Sequence, residues 1–95
     1  MTRSLPFDAL PGGDLVERGL ADLARGVKSV EALLVLVGAP RLRELGLVVP
    51  DAGVGSPEHE LYLLLEAEGF EGAHSRYNAL IRRLVSFERA AACAA

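Results

Sequence analysis

The most regular hydrophobic pattern in the chain runs from Ala73 to Cys93 (AHSRYNALIRRLVSFERAAAC), with no Gly or Pro inside it. At about 100° per residue, Tyr77, Leu80, Ile81, Leu84, Val85 and Phe87 share one broad arc. Arg76, Arg82, Arg83 and Arg89 fall outside that arc, with Ser75, Asn78 and Ser86. The pattern predicts a long amphipathic helix. The stretch before it, Pro57 to Gly69 (PEHELYLLLEAEG), carries Glu58, Glu60, Glu66 and Glu68 and no Lys or Arg, and Glu71 follows in the turn. Ser56-Pro57-Glu58 is a helix start: a capping hydroxyl, a proline in the first turn and acids at the positive end of the helix dipole.

An acidic helix joined by a short Gly-containing turn to a basic one predicts an antiparallel hairpin over residues 57–93. Glu68 is expected near Arg76, and Glu58 near the Arg89 end. Exposed pairs of this kind contribute about 0–1 kcal/mol each. Each buried large apolar side chain contributes roughly 1.5–3 kcal/mol, so burial holds the hairpin and charge orients it. Leu61-Tyr62, Gly69, Ala73 and Tyr77 resemble part of a tetratricopeptide helix pair, but the Gly-to-Ala spacing is one residue short and a single repeat does not stand alone. The hairpin is therefore read as a generic one.

Upstream, Pro6, Pro11, Gly12 and Gly13 make residues 1–13 an irregular arm, with Leu5, Phe7 and Leu10 available to dock on the core or on a neighbour. Asp14 followed by Glu17 suggests a loose capping box. Val16, Leu20, Leu23 and Val27 then recur at helical spacing, with Glu17, Arg18, Asp22 and Arg25 on the other side, predicting a helix that ends near Gly26. Ser29 can cap Val30–Val37 (VEALLVLV), a run that suits a buried strand as well as a buried helix. The chain offers no strand of comparable quality to pair with it, only the short Leu47–Val49, and a lone strand leaves its backbone unsatisfied. The segment is read as helix. Gly38-Ala39-Pro40 breaks the chain, Arg41–Leu45 forms a short helix ending at Gly46, and residues 47–55 are extended and then loop.

One position interrupts the apolar arc of the last helix. Glu88 projects at the middle of the arc, where a helix built only for packing would carry Leu, and His74 sits at the arc's edge. A buried charge left without its partner costs roughly 3–5 kcal/mol. The residue reaches solvent near the helix end or pairs with an arginine of another helix, or else it is a functional carboxylate or part of an ion pair between subunits.

Ninety-five residues with 51% hydrophobic and 5% aromatic content make one domain (1–95) whose apolar mass is mostly Leu, Val and Ala. That is a large apolar share for a short chain, and it suggests surface covered by a second subunit or a partner. A net charge of −3 weighs against general binding to nucleic acid or acidic membranes. Lys28 is the only lysine, a bias that GC-rich codon usage of a bacterial kind explains. Cys93 is the only cysteine, which rules out an intrachain disulfide and a cysteine zinc site. No secretory h-region and no apolar run of spanning length is present, so a cytoplasmic location is expected and no membrane partner.

Candidate chemistry is sparse. LVLVGAPRLREL lacks the glycine and lysine pattern of a phosphate loop. Val30–Val37 followed by Arg41 to Leu45 could act as a helix-turn-helix, with Arg41 and Arg43 as nucleic-acid contacts, though Glu44 sits beside them and the second helix is short. Glu71-x-x-His74 has the spacing of one half of a di-iron pair, but the second pair is missing, and His59 reads as a surface residue, so no metal and no cofactor are expected. His74, Arg76, Tyr77 and Asn78 are the nearest approach to a catalytic cluster. Helical nucleases of toxin–antitoxin pairs place a His a few residues after an Arg, whereas here His74 precedes Arg76.

The sequence therefore predicts an all-α, compact bundle of four to five helices with a C-terminal antiparallel hairpin. The expected function is protein–protein association without catalysis, as a homo-oligomer or as an accessory subunit of a larger partner. The expected interface residues are Tyr77, Leu84, Phe87 and Glu88, with Arg83 as partner for the carboxylate. A DNA-binding regulator using Arg41 and Arg43 and a small nuclease-like enzyme using His74 are the competing readings.

Overall fold

Val30–Val37, the run whose pattern fits either a strand or a helix, is the central helix of the molecule. A computed structural model describes residues 7–69 and 71–94. It contains a 3-10 turn at Phe7–Ala9 followed by five helices: α1 Gly13–Ala24, α2 Val30–Val37, α3 Ala39–Glu44, α4 Pro57–Ala67 and α5 Ala73–Ala94. The protein is an all-α bundle, and no strand occurs among the described residues.

Apart from Glu31 in its first turn, helix α2 is apolar all round because it is surrounded. It packs on α1, α4, α5 and the following α3, and Ala32, Leu33, Leu34 and Val35 are all buried. A helix with this composition is stable only inside a core. Its start is fixed by Ser29, whose Oγ accepts the backbone N–H of Ala32 at 3.1 Å. The crossing of α1 over α2 is close because Gly19 has no side chain. A Cβ there would lie 2.4 Å from the Glu31 carbonyl oxygen and 2.4 Å from Val35 Cγ2.

Asp22 departs from the sequence expectation. Helical spacing puts it on the polar side of α1, yet it is only 6% exposed. Ser29 Oγ donates to Asp22 Oδ2 at 2.5 Å, and Arg25 Nη2 donates to Oδ1 at 2.5 Å. The aspartate thus supports the hydroxyl that caps α2, and that need overrides amphipathic spacing. Val27, expected on the apolar stripe, is instead 43% exposed, because the helix has already ended at Ala24.

The Ser29 hydroxyl, and after it the Arg25 guanidinium, hold the Asp22 carboxyl below its ordinary value of 3.8. A carboxylate depressed in the native state adds stability above its unfolded pKa, and that stability is lost as pH falls through the native value. Asp22→Asn is therefore expected to melt at lower temperature than the wild type at pH 7. The gap should narrow once the pH falls below 3.8 and approaches the depressed native value. Thermal melts at both ends of that range test this, and a gap independent of pH would assign the effect to packing alone.

Helix α5 has 22 residues and α4 has 11, so the hairpin is lopsided. The first half of α5 pairs with α4, and Arg76 Nη1 meets Glu68 Oε1 at 3.1 Å, in agreement with the charge pattern. Glu58 does not approach the Arg89 end. A helix half the length of α5 ends long before Arg89, and the Glu58 charge is felt by Tyr77 instead.

The second half of α5 packs on the start of the chain. Phe7 stacks on Phe87 with centroids 5.8 Å apart and planes 5° from parallel, and Leu10 packs on the core. The irregular arm expected over residues 1–13 thus docks on the bundle from Phe7 onward, whereas Leu5 lies outside the described residues. Helix α1 starts at Gly13 with Gly12 as its N-cap, not with Asp14. Gly12 adopts φ 73, and a Cβ there would sit 2.5 Å from the Arg83 carbonyl oxygen, so this contact between α1 and α5 needs glycine. Freed from capping, Asp14 accepts from Arg83 Nη2 at 2.9 Å.

Candidate functional site: the cleft between the α2–α3 elbow and α5

Gly38 closes α2 and opens α3, so the two helices meet at a single residue. The elbow stands against α5 and leaves a cleft of about 300 Å³, lined by Val37, Gly38, Pro40, Arg41, Ile81, Leu84, Val85 and Glu88. The floor is apolar: Leu84 is buried, and Val37, Ile81 and Val85 are half-buried. Glu88 enters from the last turns of α5. Its Oε2 lies 3.0 Å from the position a Cβ on Gly38 would occupy, which places the carboxylate hard against the elbow.

Among the described residues, no hydrogen bond or ion pair within 4 Å reaches Glu88. Burial pushes its carboxyl above the ordinary value of 4.5, and the nearby Arg41 charge only partly opposes this. A carboxylate whose native pKa is raised is costly when ionised, so its contribution to stability is lost as pH rises through the native value. Glu88→Gln is expected to raise the melting temperature of the isolated chain at pH 7. The gain should vanish at pH values below 4.5, where both native and unfolded carboxyls hold their protons. Melts of the two proteins at neutral and acid pH check this, and an equal or lower neutral melting point for the variant would contradict it.

The other expected interface residues fall in different places. Leu84 is 3% exposed and Phe87 0%, so both are part of the chain's own core. Their arc is covered from two sides, by the α2–α3 elbow and by the Phe7 segment. Arg83, the expected partner of Glu88, faces the other way, onto Asp14. Tyr77 is half-buried against Tyr62, with ring centroids 6.0 Å apart. Burial first and the Glu58 charge second raise its phenol pKa.

The competing readings are similarly located. Arg43 donates from Nε at 3.2 Å and Nη2 at 2.7 Å to the Val49 carbonyl, pinning the extended segment after α3. Arg41 Nη1 meets Glu44 Oε1 at 3.2 Å. A one-residue elbow and a six-residue α3 differ from a helix-turn-helix, which needs a turn of about three or four residues before its reading helix. His74 is exposed, contacts Asn78 Nδ2 through Nε2 at 3.2 Å, and lies edge-on to Tyr62. It stands 14 residues before Glu88 on one helix, about 21 Å along the axis at 1.5 Å per residue, so the two do not converge. Among the described residues no group of three or more potential metal ligands gathers. No helix is long and apolar enough to cross a membrane among those residues.

Sequence reasoning singles out Glu88 but misses its surroundings. Arg41 and Pro40 reach the same cleft only because Gly38 turns the chain so sharply, and no local pattern carries that information. The class defined by fold and site is a five-helix bundle with an apolar cleft lined by a carboxylate that has no partner among the described residues. The chain matches no known protein family, no curated protein and no solved structure.

Proposed function

We propose that this chain is a cytoplasmic protein–protein association module, a homo-oligomer or an accessory subunit, with no catalysis of its own. The observation that supports this reading is Glu88, a half-buried carboxylate without a partner among the described residues, at the wall of an apolar cleft. A charge held in that way is costly in the isolated chain and ceases to be costly once a second protein supplies its counter-charge. Leu63 at 47% and Val48 at 86% exposed add apolar surface elsewhere on the same molecule. An exposed thiol at Cys93 suits a reducing compartment.

The experiment is a size measurement of the protein in a gentle extract of its own cells and again after purification. In the extract it is expected to run well above the 10.1 kDa of a single chain. Migration as a single chain in both preparations would overturn the reading.

A further inference from the structure

The cleft carries two opposite charges among its lining residues. Arg41 belongs to the elbow and Glu88 to α5, and no N–O distance between them is within 4 Å. Arg41 is instead drawn outward to Glu44, leaving its side chain about half exposed, at 51%. Val37, Ile81 and Val85 add apolar lining to the same cleft. On α5 the half-buried positions Ile81, Val85 and Glu88 recur at i, i+4 and i+7, the spacing of a helix stripe that packs on another element.

Which occupant fits follows from the arrangement of charge. A lone cation would be attracted by Glu88 but repelled by Arg41, and a lone anion the reverse. A surface that itself presents a negative and a positive group side by side satisfies both. Under a twofold axis any such pair is complementary to its own copy, since residue i meets residue j and j meets i. At about 300 Å³ the cleft is at the bottom of the range for small-molecule sites, suiting one inserted side chain more than a separate ligand. A net charge of −3 is small enough for two copies to approach.

We infer that this cleft is one half of a twofold self-interface, in which Arg41 of each copy reaches into the cleft of the other and pairs with its Glu88. This rests on the association reading above and names the partner as a second copy of the chain. The aliphatic stem of each arginine lies along Val85 and Ile81, and its guanidinium supplies the counter-charge that Glu88 lacks in one copy. Arg41 exchanges its exposed contact with Glu44 for a carboxylate in a drier place, where the pair is stronger.

The test is a charge swap read by light scattering on a sizing column over a range of concentrations. The wild type, Glu88→Arg, Arg41→Glu and the double variant are compared, with helical content checked by circular dichroism. The wild type is expected to be a dimer. Arg41→Glu alone and Glu88→Arg alone each place like charges together and should weaken the dimer at least tenfold. The double variant restores opposite charges across the axis and should recover it. If Glu88→Arg fails to fold, Glu88→Gln replaces it, and Arg41→Glu, at an exposed position, carries the comparison unaided. A dimer indifferent to these changes would overturn this interface while leaving the association reading in place. A wild type monomeric at every concentration overturns the self-interface, and its size in cell extract then decides the association reading separately.

Discussion

Phe87→Ala is expected to lower the melting temperature of the protein strongly. Phe87 is fully buried, with 0% of its surface exposed, and forms the joint between α5 and the Phe7 segment. Truncating a buried phenylalanine removes its transfer energy and leaves a cavity, together about 3–5 kcal/mol. The total stability of a domain is about 5–15 kcal/mol. For a chain of this length each kcal/mol shifts the melting temperature by roughly 4–8 °C, so a fall of roughly 12 °C or more is expected. Thermal unfolding followed by far-ultraviolet circular dichroism measures it. Phe7→Ala removes only a half-buried ring and should have a clearly smaller effect. Equal losses for the two would mean that the aromatic stack, not the cavity, is the dominant contribution.

Gly19→Ala is expected to destabilise the protein although alanine is the better helix former. The intrinsic preference favours alanine by about 1 kcal/mol in a helix interior. Against it, the new methyl would stand 2.4 Å from a backbone carbonyl on α2 and 2.4 Å from a Val35 methyl group. Neither can yield without moving one helix off the other, and overpacking of this kind costs about 1–3 kcal/mol. The net expectation is a loss of up to about 2 kcal/mol. Gly55→Ala is the control. No atom lies within 4 Å of the place its methyl would take, so only the unfolded chain is affected. That change should be neutral or slightly stabilising, by up to about 1 kcal/mol. Stability of the two variants by denaturant titration separates propensity from packing. If Gly19→Ala were as stable as Gly55→Ala, the helix crossing would be looser than these distances imply.

The elements of this fold are legible wherever a local signal is backed by burial. The Ser29 hydroxyl at the head of Val30–Val37 and the Ser56-Pro57-Glu58 start both mark real helix beginnings, although only Ser29 forms a side-chain cap. Glu68 and Arg76 can be paired from sequence because a short turn fixes their separation. What escapes the sequence depends on contacts between distant residues. Arg83 meets Asp14 across 69 positions, and no periodicity indicates that. Asp22 looks like a surface acid because helical spacing cannot register a hydroxyl seven residues on that requires an acceptor. For the site, the odd carboxylate is visible as a break in the arc. Its neighbour Arg41 is visible only as a nucleic-acid candidate, because the elbow at Gly38 that brings it to the cleft is a property of the folded chain.

The mismatch in length between α4 and α5 has a kinetic consequence. Local hairpin contacts can form early and support the first half of α5, but its second half has no helical neighbour of its own in the hairpin. It is braced instead by the segment from Phe7 to Asp14, through the Phe7 ring, the Gly12 approach and the Asp14 carboxylate. Release of that segment and opening of the last turns of α5 are therefore expected to be one cooperative event in hydrogen exchange, separate from the hairpin. The elbow face of the same turns carries Glu88, so an occupant of the cleft would also slow that opening.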